Sequence, residues 1–139
     1  MRYYVVAVLL AGGLSYSLLA DCEPQLKAAP APTAVSIDTA TAMLEKVKNQ
    51  ELVLIDVRSP EEYAEGHIPG AINMPHDQIE QYVSQLDDIR DKPILIYCRS
   101  GRRAKLALED LKARSFADVS HLEGDMMGWN GAGLPVARM

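Results

Sequence analysis

Cysteine and histidine are scarce in this chain: two cysteines, Cys22 and Cys98, and three histidines, His67, His76 and His121. The cysteines sit in very different surroundings, no Cys-x-x-Cys pair occurs and the histidines are scattered. The sequence therefore suggests neither a disulfide framework nor a zinc site. Basic residues are in the minority, with 14 Lys and Arg against 19 Asp and Glu, a net charge of −5. Such a chain lacks the positive footprint of a nucleic-acid binder. If it handles a small anion, the positive potential has to come from local groups. Internal repeats are also absent. What remains is ordinary: 139 residues, 48% hydrophobic and 24% charged, the size and make-up of one soluble globular domain.

Charge is nearly missing from the first 20 residues, where Arg2 is the only charge before Asp21. A positive start, an apolar run and small residues near its end read as a targeting segment, residues 1–20. Three fates are open. Cleavage could follow Ala20, although Leu18 is large for the position two residues upstream. Cys22 could be lipidated, since Leu19-Ala20-Asp21-Cys22 resembles a lipobox, with Asp21 where a small residue is usual. The run could also stay as an anchor, being close to the roughly 20 apolar residues of a span. In each case the expected location is outside the cytoplasmic membrane, in the periplasm or on the membrane's outer face, and only this segment touches the membrane. Residues 21–34, with three prolines among alanines, read as an extended tether. The folded domain is expected over 35–137.

Within it, strand and helix patterns alternate. Val35 to Ile37 is a short strand candidate, and Asp38 or Thr39 can cap a helix running to about Lys48. Leu52 to Val57 is a continuous apolar run suited to a buried parallel strand. Ser59-Pro60-Glu61-Glu62 reads as a helix start: a capping serine, proline at the first position, then acids at the positive end of the helix dipole. Gly66 stops it. Ala71 to Met74 is a short strand, Ile79 to Leu86 an amphipathic helix, and Pro93 to Tyr97 the second buried strand. Arg102 to Ala113 follows as a helix with Leu106, Leu108 and Leu111 as its apolar residues. Asp118 to Leu122 is the last strand and Gly124 to Asn130 a short helix. Alternation of this kind predicts an α/β fold, a mostly parallel central sheet with helices on both faces.

Ligands in such folds bind beyond the carboxyl ends of the strands. Cys98 stands at that place, followed by Arg99-Ser100-Gly101-Arg102-Arg103 and a helix. Backbone N–H groups and the dipole of the helix start add positive potential there, as do Arg99, Arg102 and Arg103. Surroundings of this kind depress a thiol's pKa, so Cys98 is expected as a thiolate at neutral pH. A buried inert cysteine fits poorly with such polar neighbours. For the arginines, a solvated helix start is the plainer reading, and the loop amides are the stronger candidates.

The sequence resembles the rhodanese family over roughly Val35 to Val136. Three stretches carry the likeness. Asp56-Val-Arg-Ser-Pro-Glu-Glu-Tyr-Ala-Glu-Gly-His-Ile-Pro-Gly-Ala-Ile-Asn-Met-Pro75 resembles the family's N-terminal signature. Cys98-Arg-Ser-Gly-Arg-Arg103 resembles its active-site loop. Val119-Ser-His-Leu-Glu-Gly-Asp-Met-Met-Gly-Trp129 resembles its C-terminal signature. The resemblance implies a rhodanese-like fold and a thiosulfate sulfurtransferase. Catalytic Cys98 would accept sulfane sulfur from a small donor such as thiosulfate and pass it to a thiophilic acceptor such as cyanide or a thiol. The persulfide would be cradled by the amides of Arg99, Ser100, Gly101, Arg102 and Arg103, with no metal or organic cofactor.

Asp56 and Arg58 are read as supports: the carboxylate would accept hydrogen bonds from the active loop, and Arg58 would pair with acids of the following helix. His67 and His121 are expected as scaffold residues, and Met126, Met127 and Trp129 as cover for the core. Asp125 departs from the pattern, which commonly has a second glycine there. The expectation is a changed turn that leaves the loop untouched.

Phosphatases and arsenate reductases of the same fold use a longer Cys-x-x-x-x-x-Arg loop, and the sixth position after Cys98 is Ala104. The arginine falls one position early, which favours a single sulfur atom over a tetrahedral anion. A non-catalytic binding module and a persulfide carrier serving a protein acceptor stay open. A dithiol oxidoreductase is disfavoured, because no resolving cysteine accompanies Cys98 in the domain.

Overall fold

The computed structural model describes residues 37–139. The targeting segment, the tether and the first two residues of the Val35–Ile37 strand candidate lie outside them. The elements are helix α1 (Ile37–Lys48), strand β1 (Val53–Asp56), helix α2 (Pro60–Glu65), strand β2 (Ile72–Asn73), helix α3 (Ile79–Leu86) with a 3-10 turn at Asp87–Ile89, strand β3 (Ile94–Tyr97), helix α4 (Arg102–Ala113), strand β4 (Val119–His121) and helix α5 (Asp125–Gly131). Ile37 corrects the strand expectation, because it is the first residue of α1. The helical period reaches back to it: Ala40, Met43, Leu44 and Val47 fall at the spacing of one helix face and pack together. Among the described residues no helix is long and apolar enough to cross a membrane.

The four strands form one parallel sheet in the order β2-β1-β3-β4. Side chains alternate between its faces, so the continuous apolar runs feed two cores. Ile55 and Val57 of the first run, and Ile94 and Ile96 of the second, pack with Ile79, Leu86, Ala104, Ala107, Leu111 and Phe116 beneath α3 and α4. Leu54 and Tyr97 point the other way, into a cluster with Ala40, Met43, Met126 and Trp129 from α1 and α5. The Trp129 indole N–H finds its partner in the Pro135 carbonyl, 2.7 Å away, so the largest fully buried side chain has its one donor satisfied.

Helix α4 packs through Ala104, Ala107 and Leu111, three buried positions on one stripe, while Leu106 is half exposed. Leu106 thus departs from the expected apolar face, whereas Leu111 is buried and Leu108 packs against the core, and Ala104 and Ala107 let the helix approach the sheet closely. Met127 is likewise on the surface, unlike Met126 and Trp129.

The strand order has a consequence for binding. From β1 the chain steps outward to β2 on one side, whereas β3 and β4 lie on the other. The order reverses between β1 and β3, and a parallel sheet opens a crevice beyond the carboxyl ends at such a point. Asp56 ends β1 and Cys98 follows β3.

Candidate active site

Cys98 is buried and its Sγ accepts a hydrogen bond from the Gly101 N–H at 3.0 Å. The loop between them is tight because Gly101 has a φ of +100°, in the left-handed region that glycine adopts freely, and it caps α4. The first intrahelical bond of α4 runs from the Lys105 N–H to the Gly101 carbonyl. The amides of the preceding turn, including Arg102 and Arg103, are the donors that a helix leaves unsatisfied at its start. Of the amides expected around the sulfur, that of Gly101 is on it.

The three arginines separate in role. Arg99 and Arg102 are exposed. Arg103 is gripped by both carboxylate oxygens of Glu62 in α2, at 2.5 and 2.9 Å. That bidentate pair lowers the Glu62 carboxyl from its ordinary 4.5 to about 2, chiefly through the Arg103 hydrogen bonds. It raises Arg103 in turn, and the nearby Cys98 adds to that rise. Glu62 also completes a capping box, accepting from the Ser59 N–H at 3.2 Å while the Ser59 hydroxyl accepts from the Glu62 N–H. One side chain thus joins the start of α2 to the start of α4.

Asp56 and Arg58 are both buried, but they do not act as the sequence led us to expect. The Asp56 carboxylate accepts from the Arg58 backbone N–H at 3.0 Å and from its guanidinium at 2.6–3.1 Å, not from the Cys98 loop. Arg58 thereby pairs with Asp56 and not with the acids of α2, and it donates to the Gly66 carbonyl at 2.7 Å. The reason is burial. A desolvated carboxylate needs an immediate counter-charge, and a guanidinium two residues away supplies it in fork geometry. Burial pulls the Arg58 pKa down, and the Asp56 hydrogen bonds and charge outweigh it, raising it overall. The pair props the bend after β1 and leaves the loop to other partners.

Those partners come from β4 and α5. Asp125 is buried, and its Oδ1 accepts the Cys98 N–H at 2.8 Å while its Oδ2 meets His121 Nε2 at 2.9 Å. The expectation that Asp125 leaves the loop untouched is thus wrong. The contact spans 27 positions and arises from the turn at the start of α5. Its only trace in the sequence is that an acid stands where the family pattern has glycine. The next two amides, of Met126 and Met127, donate to the Cys98 and Arg99 carbonyls at 3.0 and 3.1 Å. His67 stays a scaffold residue, stacked on Tyr63 and bonded to its carbonyl at 2.8 Å.

Beside the loop lies an open depression of about 540 Å³, lined by Arg58, Glu62, Glu65, Arg99, Met126, Met127 and Asn130. Its walls mix both signs of charge with an apolar patch.

A buried thiol that accepts a loop N–H at a strand–loop–helix corner, at the switch point of a parallel sheet, marks the candidate site of an α/β domain. The chain belongs to the rhodanese-like domain family, whose model matches residues 36–132. A sulfurtransferase of Allochromatium vinosum is 32% identical over 100 residues, covering 72% of this chain and 92% of that protein. The YtwF protein of Bacillus subtilis is 41% identical over 100 residues, covering 71% and 93%. This chain spans less of other relatives, 59%, 48% and 43% of three of them. Among solved structures, a rhodanese-related protein of Thermoplasma volcanium superposes with a TM-score of 0.61 at 27% identity, covering 77% of this chain and 99% of that one.

Proposed function

We propose that the protein is a thiosulfate sulfurtransferase acting through a persulfide on Cys98. The Cys98 thiolate attacks the outer sulfur of thiosulfate, the sulfur–sulfur bond breaks and sulfite leaves with the bonding pair. A thiophilic acceptor then attacks the terminal sulfur of the persulfide and restores the thiolate, cyanide leaving as thiocyanate. Charge is conserved in both steps, and no cofactor enters. The observation that carries this reading is the Gly101 N–H on Cys98 Sγ at the start of α4, a donor placed for an anionic sulfur.

The depression beside the loop supports a thiol larger than cyanide as a second acceptor, since it has room and polar groups for one. A protein-borne thiol would make the same chain a persulfide carrier. We further propose that the domain works outside the cytoplasmic membrane, delivered by residues 1–20.

Intact mass of the full chain after thiosulfate should rise by one sulfur atom and return on adding cyanide. Cys98→Ser should lose both the mass gain and thiocyanate formation while keeping the fold. A serine variant that still forms thiocyanate would refute the reading.

A further inference from the structure

Asp125 is an unexpected residue for its backbone. Its φ is +52°, left-handed, where glycine is favoured and a side chain costs energy. It is also a buried carboxylate, which is tolerated only with partners. Both costs are accepted for a side chain whose two oxygens are spent on the reacting region, one on the Cys98 amide and one on His121. The His121 ring lies against the loop as well. A Cβ at Gly101 would come within 3.1 Å of Asp125 Oδ2 and 3.3 Å of His121 Cε1.

We propose that Asp125, held by His121, is a positioning residue for Cys98: its carboxylate fixes the cysteine's amide and sets a negative charge, offset by the imidazole, against the sulfur-bearing loop. The other charged groups at the loop have their own partners or face solvent. Arg103 of α4 contributes positive charge to Cys98 while tied to Glu62 of α2. The Asp56–Arg58 pair at the end of β1 is internally neutral. Arg99 and Arg102 are exposed, so solvent screens them. Asp125 is the buried anion in direct contact with the cysteine residue, and His121 is its titratable partner. The carboxylate opposes the ionised form of the thiol, while a protonated His121 relieves that opposition. The inference rests on Cys98 being the reacting thiol of the proposed transfer.

The test is the pH dependence of iodoacetamide alkylation in the full chain, read at the Cys98 peptide by mass spectrometry. Asp125→Asn keeps an acceptor for the Cys98 amide and removes the charge, so the alkylation midpoint should fall by about one pH unit. His121→Gln keeps a donor and removes the chargeable ring, so the midpoint should rise by as much as the ring's charge contributes. General loosening of the loop would move both variants the same way. Should Asp125→Asn fail to fold, Asp125→Gly suits the positive φ, also lacks the charge, and should show the same fall. Shifts of like sign, or no shift on removing the carboxylate, overturn the proposal. Opposite shifts in a protein that takes no sulfur from thiosulfate would instead defeat the proposed transfer and leave the pair standing.

Discussion

Gly101 shows how narrow the tolerances around the sulfur are. It gives its N–H to Cys98 Sγ, adopts a φ of +100°, and leaves only a tight fit for a methyl group, 3.1 Å from Asp125 Oδ2 and 3.3 Å from His121 Cε1. Gly101→Ala should therefore cost about 1–2 kcal/mol from the backbone alone, and sulfur loading should slow because the amide swings off the thiol. Urea unfolding together with the mass assay checks both, and a variant equal to wild type in the two would contradict this role for Gly101. At this scale the sequence pointed to the candidate thiol and its loop but not to the residues that brace them. Cys98 was legible because a cysteine between an apolar strand and an arginine-rich helix start is poorly suited to a core role. Asp125 was not, since its contact depends on how β4 turns into α5. Asp56 and Arg58 were given the wrong partners, because their mutual burial is a tertiary fact.

Helix α2 is only six residues long and has no fully buried side chain, so its ends have to be secured by polar contacts. Ser59 and Glu62 supply them, and Glu62 extends the arrangement to Arg103 of α4. Because the Glu62 carboxyl is held at about 2, below its ordinary 4.5, its ionised form stabilises the folded state. That contribution is complete above the ordinary value and fades as the pH falls through about 2. Glu62→Gln should accordingly lose about 1 kcal/mol at neutral pH, the scale of a partly exposed pair, and the difference from wild type should shrink towards zero at about pH 2. Urea titrations at the two pH values measure it; a gap that does not change with pH would assign the loss to packing. The α2 start was readable from its serine, proline and acids, which are local signals. The link to Arg103 bridges 41 positions and was not.

For the molecule as a whole, one parallel sheet separates two cores, and the site opens where the strand order reverses between β1 and β3. The alternation of apolar runs and helical patterns carried this much, because buried parallel strands and their covering helices leave strong periodicities. What it misjudged were edges and faces: Ile37 is helical, Leu106 looks outward and Met127 lies on the surface. For the proposed location, a reporter enzyme that works only after export, fused after Ala34, should be active; activity only from a cytoplasmic reporter at the same junction would overturn the export reading. The grip of α5 on the loop has a further consequence for how the protein comes into being. Cys98 is made before Asp125, Met126 and Met127, which hold its amide, its carbonyl and the carbonyl of Arg99. During synthesis the candidate thiol therefore emerges without the clamp that shapes its loop, and a chain broken off before Asp125 would carry the whole loop sequence and none of those three bonds.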